Sequence, residues 1–156
     1  MRPESFTGMG VAHLVATLGG AGLIRPAPGT WGSLVVLPLV LLGPAACLVL
    51  GLMLTIAGFW AAPRVLSDAG DDPAWFVADE GAGMLLALAA LPMATMPGVL
   101  LAFLLFRALD ILKPWPVSWA DAQPGAFGVM LDDVLAGAIA ACAIYAVRSW
   151  FPGVLG

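Results

Sequence analysis

The chain has 156 residues, of which 62% are hydrophobic and only 10% are charged, whereas a soluble domain carries roughly 25% charged residues. Ten acidic and six basic side chains are too few to solvate the surface of a soluble protein of this size. The composition therefore predicts a single integral-membrane domain over residues 1–156. The net charge of −4, with the few Lys and Arg scattered, excludes nucleic acid as a partner, because neutralising phosphates requires clustered basic residues.

An apolar stretch from about Gly10 to Leu18 comes first, and it predicts an interfacial or re-entrant helix. The single histidine, His13, lies inside it. In such surroundings a histidine is more often packed and hydrogen-bonded than catalytic, although an imidazole can also pass a proton to a leaving group. Both interpretations are open, and His13 is kept as a candidate substrate-binding residue.

The next predicted element is a helical hairpin. The uncharged run from Leu34 to Ala62 is interrupted at Gly43-Pro44, where a continuous helix would lose a hydrogen bond. The first arm, Thr30 to Leu42, is only about 20 Å long at 1.5 Å per residue, so it should enter a hydrocarbon core of roughly 30 Å obliquely or as a re-entrant piece. The second arm, Ala45 to about Ala62, is long enough to span, and it should end at Pro63-Arg64.

A polar loop from Arg64 to Ala78 precedes a second hairpin, and it contains Asp68, Asp71 and Asp72. The arms of this hairpin run from Glu80 to Leu91 and from Gly98 to Leu112, with Pro92 and Pro97 in the turn. After a loop from Lys113 to Phe127, the segment from Val129 to about Val147 is a full span. The sequence therefore predicts an all-α polytopic membrane protein with about five short membrane helices, in two hairpins plus a C-terminal span.

This arrangement brings distant acidic residues to one side of the membrane. If Arg25, Arg64 and Lys113 share a side, the positive-inside rule makes that side cytoplasmic, with Arg148 as the exception. The helix ends on that side carry five acids at a similar depth: Asp79, Glu80, Asp110, Asp132 and Asp133.

Carboxylates at helix starts have an ordinary explanation, since aspartate caps helices and suits their positive end. The five acids together favour a second one. Glu80 and Asp133 should follow their caps into apolar helix, where unpaired carboxylates are costly. A hard divalent cation such as Mg²⁺, which takes oxygen ligands, would balance them. Carboxylates with such a metal indicate phosphoryl chemistry.

Two basic residues are candidates for contact with phosphate. Arg107 and Asp110 are three residues apart on one helix face, so an internal ion pair is the simplest interpretation. Alternatively, Asp110 faces the metal while Arg107 or Lys113 holds phosphate oxygens. Both interpretations can hold at once.

Two glycine-containing segments could bind an anion at a helix start. Gly29 to Ser33 follows Pro26-Ala27-Pro28 and offers free N–H groups with the hydroxyls of Thr30 and Ser33. Ordinary capping by Thr30 is the alternative. The predicted loop from Gly125 to Gly128 raises the same possibility through its small residues.

The chain resembles the bacterial phosphatidylglycerophosphatase A family in five blocks that follow the family's order. The match covers most of the chain, from about His13 to Gly137, and includes two uncommon strings, K-P-W-P and L-D-D-V-L-A-G. The blocks are Pro28-Gly29-Thr30-Trp31-Gly32-Ser33-Leu34, Asp79-Glu80 with Gly83-Met84, Phe106-Arg107 with Asp110, Lys113-Pro114-Trp115-Pro116, and Gly128-Val129-Met130-Leu131-Asp132-Asp133-Val134-Leu135-Ala136-Gly137.

The resemblance implies a Mg²⁺-dependent phosphatase of the bacterial inner membrane, with its active site facing the cytoplasm. Its implied reaction removes the terminal phosphate of phosphatidylglycerophosphate to give phosphatidylglycerol. The implied acidic centre consists of the five acids, and the implied phosphate contacts are Lys113, Arg107 and the Thr30 to Ser33 loop. Our hypothesis is that Asp79, Asp132 and Asp133 bind Mg²⁺. Glu80 is then the expected general base, and a covalent aspartyl-phosphate route is the alternative.

Two other classes of function compete with this one. Intramembrane acids and helices broken by Gly and Pro also build transport sites, but those lie near the membrane midplane rather than at one interface. A structural membrane subunit whose acids only cap helices is the third possibility.

Overall fold

The computed structural model describes residues 10–66, 73–151 and 153, and within these residues it contains helices and no strands. The α-helices are α1 Val11–Ala16, α2 Pro28–Val36, α3 Pro44–Val65, α4 Ala78–Leu88, α5 Met96–Leu112, α6 Val117–Asp121 and α7 Gly125–Trp150. Short 3₁₀ helices cover Ala21–Leu23 and Leu37–Leu42. The predicted all-α class is confirmed.

The first hairpin turns at the predicted glycine. Gly43 has a φ of 89°, a left-handed conformation that glycine adopts without steric cost. Pro44 follows in the first turn of α3, where its missing N–H has no helical partner to lose. At its other end α3 passes through Pro63 and stops at Val65, one residue beyond the predicted stop.

Helix α4 is the centre of the fold. It packs against α2, α3, α5 and α7, and nine of its residues are buried. Its small residues allow this close approach from several sides, while its larger ones contribute to the apolar core. The largest fully buried side chains around it are Met84, Leu85, Leu88, Leu91 and Phe106.

Two glycines set the distance between α4 and α7. A Cβ atom on Gly137 would overlap the carbonyl oxygen of Gly83 and would lie 2.6 Å from its Cα. A Cβ atom on Gly83 would overlap the carbonyl oxygen of Asp133. These neighbours are backbone atoms, which cannot rotate away as a side chain can. Backbone-to-backbone packing through small residues is typical of helices in membranes.

Within the described residues, two helices, α3 and α7, are long and apolar enough to cross a membrane by length and composition. Only 28% of an 18-residue apolar stretch of α3 is buried inside the protein, so this helix presents most of its apolar surface outward. Large exposed side chains on it are Leu48, Leu52, Met53, Ile56 and Trp60. The apolar helix over Pro28–Leu42 is shorter, as expected for an arm that cannot span directly.

In the C-terminal half, the observed helix boundaries differ from the predicted ones. The predicted loop from Lys113 to Phe127 contains α6 and the beginning of α7. Gly125 to Gly128 is therefore the first turn of a helix rather than a loop, because Pro124 in extended conformation ends the preceding turn. The same shift moves Asp132 and Asp133 from the start of the last helix to its eighth and ninth positions. The aspartates predicted in the 64–78 loop lie at 68, 71 and 72, outside the described residues.

We predict that Gly137→Ala separates α4 from α7. The new methyl group has no room beside the Gly83 backbone, and overpacking of this kind costs about 1–3 kcal/mol. The thermal unfolding midpoint of the purified protein in detergent should fall by several degrees. Gly10→Ala is the matched control, since a Cβ there meets no atom of the described residues within 4 Å. Equal midpoints for the two variants would contradict the packing argument.

Candidate active site

Three carboxyl groups from two helices lie together at one end of the fold. Asp79 and Glu80 are in the first turn of α4, and Asp133 lies on α7. Each offers a ligand oxygen, and these oxygens lie within 4.8 Å of one another. Asp79 and Asp133 are only 5% and 3% exposed. We refer to Asp79, Glu80 and Asp133 as the carboxylate group.

The contact between Gly83 and Gly137 explains why these acids meet. Asp79 precedes Gly83 by one helical turn, and Asp133 precedes Gly137 by the same distance. Residues four apart lie on the same face of a helix. When the two glycines touch, the acids one turn earlier on each helix are therefore brought side by side.

Some carboxylate oxygens of the acidic residues accept hydrogen bonds, and others accept none from the described residues. Asp79 Oδ1 accepts a hydrogen bond of 2.9 Å from the Glu80 N–H, and Asp132 Oδ1 accepts one of the same length from the Asp133 N–H. Within the described residues, Glu80 Oε2 and Asp133 Oδ1 are buried with no hydrogen-bond partner. Buried polar atoms left in this way are costly unless a ligand satisfies them.

Like charges surround this group. The Asp133 carboxyl interacts electrostatically with the carboxyls of Glu80, Asp110 and Asp132. Several carboxylates confined in a buried region repel one another, and a cation removes that repulsion. The donor set consists of carboxylate oxygens, which are the ligands that Mg²⁺ prefers. The arrangement fits a hard divalent cation.

Arg107 lies at the edge of the carboxylate group. Its Nη1 atom is 2.6 Å from Asp110 Oδ2, but the angles are not those of a hydrogen bond, and within the described residues this buried nitrogen makes none. A Cβ atom on Gly29 would overlap Glu80 Oε1 and would lie 3.5 Å from the same Nη1. The first turn of α2 therefore closes this side of the site, and a side chain at position 29 would displace the Glu80 carboxylate.

Lys113 bridges two further carboxylates. Its Nζ donates to Asp132 Oδ2 at 2.6 Å and also to Asp121 on α6. Lys113 ends α5 in a left-handed conformation, with φ of 45°, which is uncommon for a residue with a side chain. Burial works to lower the pKa of Lys113, but the hydrogen bonds to the two carboxylates outweigh it, so the pKa is raised above its ordinary value. Lys113 therefore keeps its charge at neutral pH.

The remaining predicted residues, Thr30, Ser33 and His13, lie outside the carboxylate group. Thr30 is half-buried in the first turn of α2, and the Ser33 hydroxyl donates to the Gly29 carbonyl at 3.0 Å. The His13 ring stacks on Trp75 with centroids 5.8 Å apart, and His13 is not part of the carboxylate group. The predicted metal set of Asp79, Asp132 and Asp133 differs from the observed grouping, in which Glu80 joins and Asp132 pairs with Lys113.

Three contacts at the site were not predicted from the sequence: Gly29 with Glu80, Gly83 with Gly137, and Asp121 with Lys113. A signal for the glycine pair is present in the sequence, because a glycine follows Asp79 and Asp133 at the same spacing of four. Asp121 carries no comparable signal, since its approach to Lys113 depends on the unpredicted helix α6.

Comparison with known proteins gives a consistent result. A family model described as phosphatidylglycerophosphatase A matches residues 14–148. A Haemophilus influenzae protein named phosphatidylglycerophosphatase A is 40% identical over 145 residues, covering 88% of this chain and 89% of that protein. An Escherichia coli protein of the same name is 38% identical over 150 residues, covering 92% and 87%. A Bacteroides thetaiotaomicron protein, provisionally named a phosphatidylinositol-3-phosphatase, is 39% identical over 153 residues, covering 90% and 94%. No solved structure shows a significant match.

We predict that Lys113→Met destabilises the protein mainly through Asp132. The Asp132 side chain is 6% exposed, so removing its cation leaves a buried charge and costs about 2 kcal/mol. Adding Asp132→Asn should recover most of that loss. Adding Asp121→Asn should recover little, because this side chain is 48% exposed and exposed pairs contribute less than about 1 kcal/mol. Thermal unfolding of the four proteins checks this, and equal recovery by both second substitutions would contradict it.

The pH dependence of this stabilisation follows from the direction of the Lys113 shift. A lysine whose pKa is raised on folding stabilises fully below its ordinary pKa and loses that contribution as the pH rises through the folded value. The difference in unfolding midpoint between wild type and Lys113→Met should therefore keep its size up to about pH 9. It should shrink as the pH rises further toward the folded pKa of Lys113, and a decline between about pH 8 and 9 would show that another group is responsible.

Proposed function

Since the chain belongs to the phosphatidylglycerophosphatase A family, we propose that it hydrolyses the terminal phosphomonoester of phosphatidylglycerophosphate. The products are phosphatidylglycerol and inorganic phosphate. The observation that carries the proposal is the buried carboxylate group with Arg107 and Lys113 beside it. A metal-binding face next to cationic side chains suits a phosphomonoester, whose oxygens can contact both.

The carboxylate group is proposed to hold Mg²⁺ through Asp79, Glu80 and Asp133. Support comes from the grouping of their oxygens within 4.8 Å and, among the described residues, from the unpartnered Glu80 Oε2 and Asp133 Oδ1. When bound, such an ion neutralises phosphate charge and lowers the pKa of a coordinated water. Asp132 takes a different role in this proposal, because its Oδ2 already accepts from Lys113.

Arg107 and Lys113 are proposed to hold the phosphate oxygens. An ammonium group has three donors, and the carboxylates of Asp121 and Asp132 use two of those of Lys113. Arg107 Nη1 is a buried donor without a hydrogen bond among the described residues. Because the pKa of Lys113 is raised, this residue serves as a fixed positive charge rather than as a proton donor.

The reaction requires attack of water on phosphorus and cleavage of the bond to the glycerol oxygen, which takes up a proton as it leaves. Glu80 has two candidate roles here. Its place in the carboxylate group favours a ligand role, whereas the sequence led us to expect a general base. Glu80 Oε2 accepts no hydrogen bond from the residues that the structure describes, so it is available for either role. The two roles predict different dependences of the activity on the metal concentration.

The competing functions fit the structure less well. Helix capping explains acids only in a first turn, and Asp132 and Asp133 lie in the interior of α7. A transport site would be expected near the middle of the spanning helices, whereas Asp79 and Glu80 lie in the first turn of α4. The proposed location, at the cytoplasmic face of the bacterial inner membrane, places these acids at the depth of lipid phosphates.

We predict that Asp79→Asn and Asp133→Asn each lower phosphate release from phosphatidylglycerophosphate by at least about 100-fold, as expected for loss of a metal ligand. The assay uses purified protein in detergent, with Mg²⁺ or with a chelator. Mg²⁺ should also raise the unfolding midpoint of the wild type, since a ligand that binds only the folded state stabilises it. Near-normal turnover in both variants, or full activity with the chelator, would overturn the metal site.

Glu80→Gln separates the two roles of Glu80. If Glu80 is a ligand, the variant needs a higher Mg²⁺ concentration for half-maximal activity, and its midpoint responds less to Mg²⁺. If Glu80 is a base, the maximal rate falls while the Mg²⁺ dependence stays that of the wild type. We expect the first result.

A further inference from the structure

A pocket of about 400 Å³ lies beside the carboxylate group and has no part in the roles described above. It is formed between the segment that leads into α2 and the segment that leads into α4. Its lining residues are Arg25, Pro26, Ala27, Pro28, Ala74 and Trp75. The walls are mostly apolar, and they contain one cationic side chain.

Contacts with the rest of the fold hold the walls in place. The Trp31 indole N–H donates to the Pro26 carbonyl at 3.1 Å, and the Trp75 ring stacks on His13. A Cβ atom on Gly22 would overlap the Trp75 carbonyl oxygen, so the preceding turn lies directly against this wall. The left-handed Ala27, with φ of 57°, turns the chain from the pocket into α2. The pocket is therefore preformed.

One wall of the pocket leads along the chain to the site of the proposed reaction. Pro28 is bonded to Gly29, and the backbone of Gly29 lies against Glu80 Oε1. Neighbouring Cα atoms are about 3.8 Å apart, so one wall of the pocket begins within one residue of the carboxylate group. A molecule whose phosphate is held near Glu80 would extend its next few atoms along this wall.

Arg25 differs from the other basic residues near the site. Arg107 and Lys113 already face carboxylates, and the Arg64 guanidinium lies 4.5 Å from the centre of the Trp60 ring. Arg25 is exposed and, within residues 10–66, 73–151 and 153, makes neither a hydrogen bond nor an ion pair. Its guanidinium is free to bind an anion in the pocket.

We propose that this pocket binds the internal phosphodiester of the lipid substrate and that Arg25 contacts its oxygens. The inference rests on the proposed function. Phosphatidylglycerophosphate carries a phosphomonoester and a phosphodiester, separated by a three-carbon glycerol. With the monoester at the carboxylate group, the apolar wall at Pro28 faces the glycerol carbons. A guanidinium offers paired donors for the two diester oxygens. Arg25 is then a specificity-determining residue, because it contacts a group that simpler phosphomonoesters lack.

The two products of the reaction separate the two halves of the site. Phosphatidylglycerol contains the diester without the monoester, and inorganic phosphate represents the monoester alone. In neutral detergent micelles, Arg25→Gln should raise the KM for phosphatidylglycerophosphate and the inhibition constant of phosphatidylglycerol about tenfold, the loss expected for one charge-assisted hydrogen bond. It should leave kcat and the inhibition constant of phosphate within about twofold.

Two further variants control for charge and for folding. Arg25→Lys keeps the charge without the paired donors and should give an intermediate inhibition constant for phosphatidylglycerol. Arg64→Gln removes a basic residue outside the pocket and should match the wild type. Thermal unfolding midpoints of the Arg25 variants should agree with that of the wild type, since Arg25 is exposed and makes no ion pair with the described residues.

Three other outcomes would contradict either the assignment of the pocket or the proposed activity. An unchanged inhibition constant for phosphatidylglycerol in Arg25→Gln, or an equal change in Arg64→Gln, overturns the pocket while leaving the proposed activity intact. An effect seen only after anionic lipid is added to the micelles shows that Arg25 binds neighbouring lipids and overturns the assignment to substrate. If the wild type releases no phosphate from phosphatidylglycerophosphate, the proposed function itself fails.

Discussion

The contact between the backbones of Gly83 and Gly137 is the constraint on which the rest of the structure depends. It leaves no room for a side chain between α4 and α7, so the two helices approach as closely as their main chains allow. Asp79 and Asp133 lie one turn before these glycines on the same helix faces. The close contact between the two helices therefore brings the carboxylates of Asp79 and Asp133 close together.

This crossing explains how a chain with so few charges can concentrate them. The carboxylates of the site are surrounded by a core of apolar side chains, where an unbalanced charge is costly. Lys113 and Arg107 balance the neighbouring carboxylates on α7 and α5. In the part of the chain that the structure describes, the buried oxygens Glu80 Oε2 and Asp133 Oδ1 have no hydrogen-bond partner. That imbalance is what supports a cation at the carboxylate group.

The outer surface of the fold is suited to a lipid substrate. Helix α3 exposes large apolar side chains along its length. Asp79 and Glu80 lie in the first turn of α4, and Lys113 lies at the end of α5. A lipid phosphate at a membrane interface can reach such a site without leaving the bilayer. The pocket at Arg25 begins one residue before Gly29, whose backbone lies against Glu80 Oε1 of the carboxylate group.

The sequence by itself determined the helical class, the turn at Gly43-Pro44 and the residue types of the site, because composition, glycine and proline act through local geometry. It placed the start of α7 too late, since the first turn, Gly125 to Gly128, contains two glycines and resembles a loop. Only the tertiary structure decided which acids lie together in the carboxylate group and which pair with Lys113. That choice depends on distances between helices, which the backbone contact of Gly83 with Gly137 sets. The two glycines are far apart in the chain, so their contact is a property of the tertiary structure.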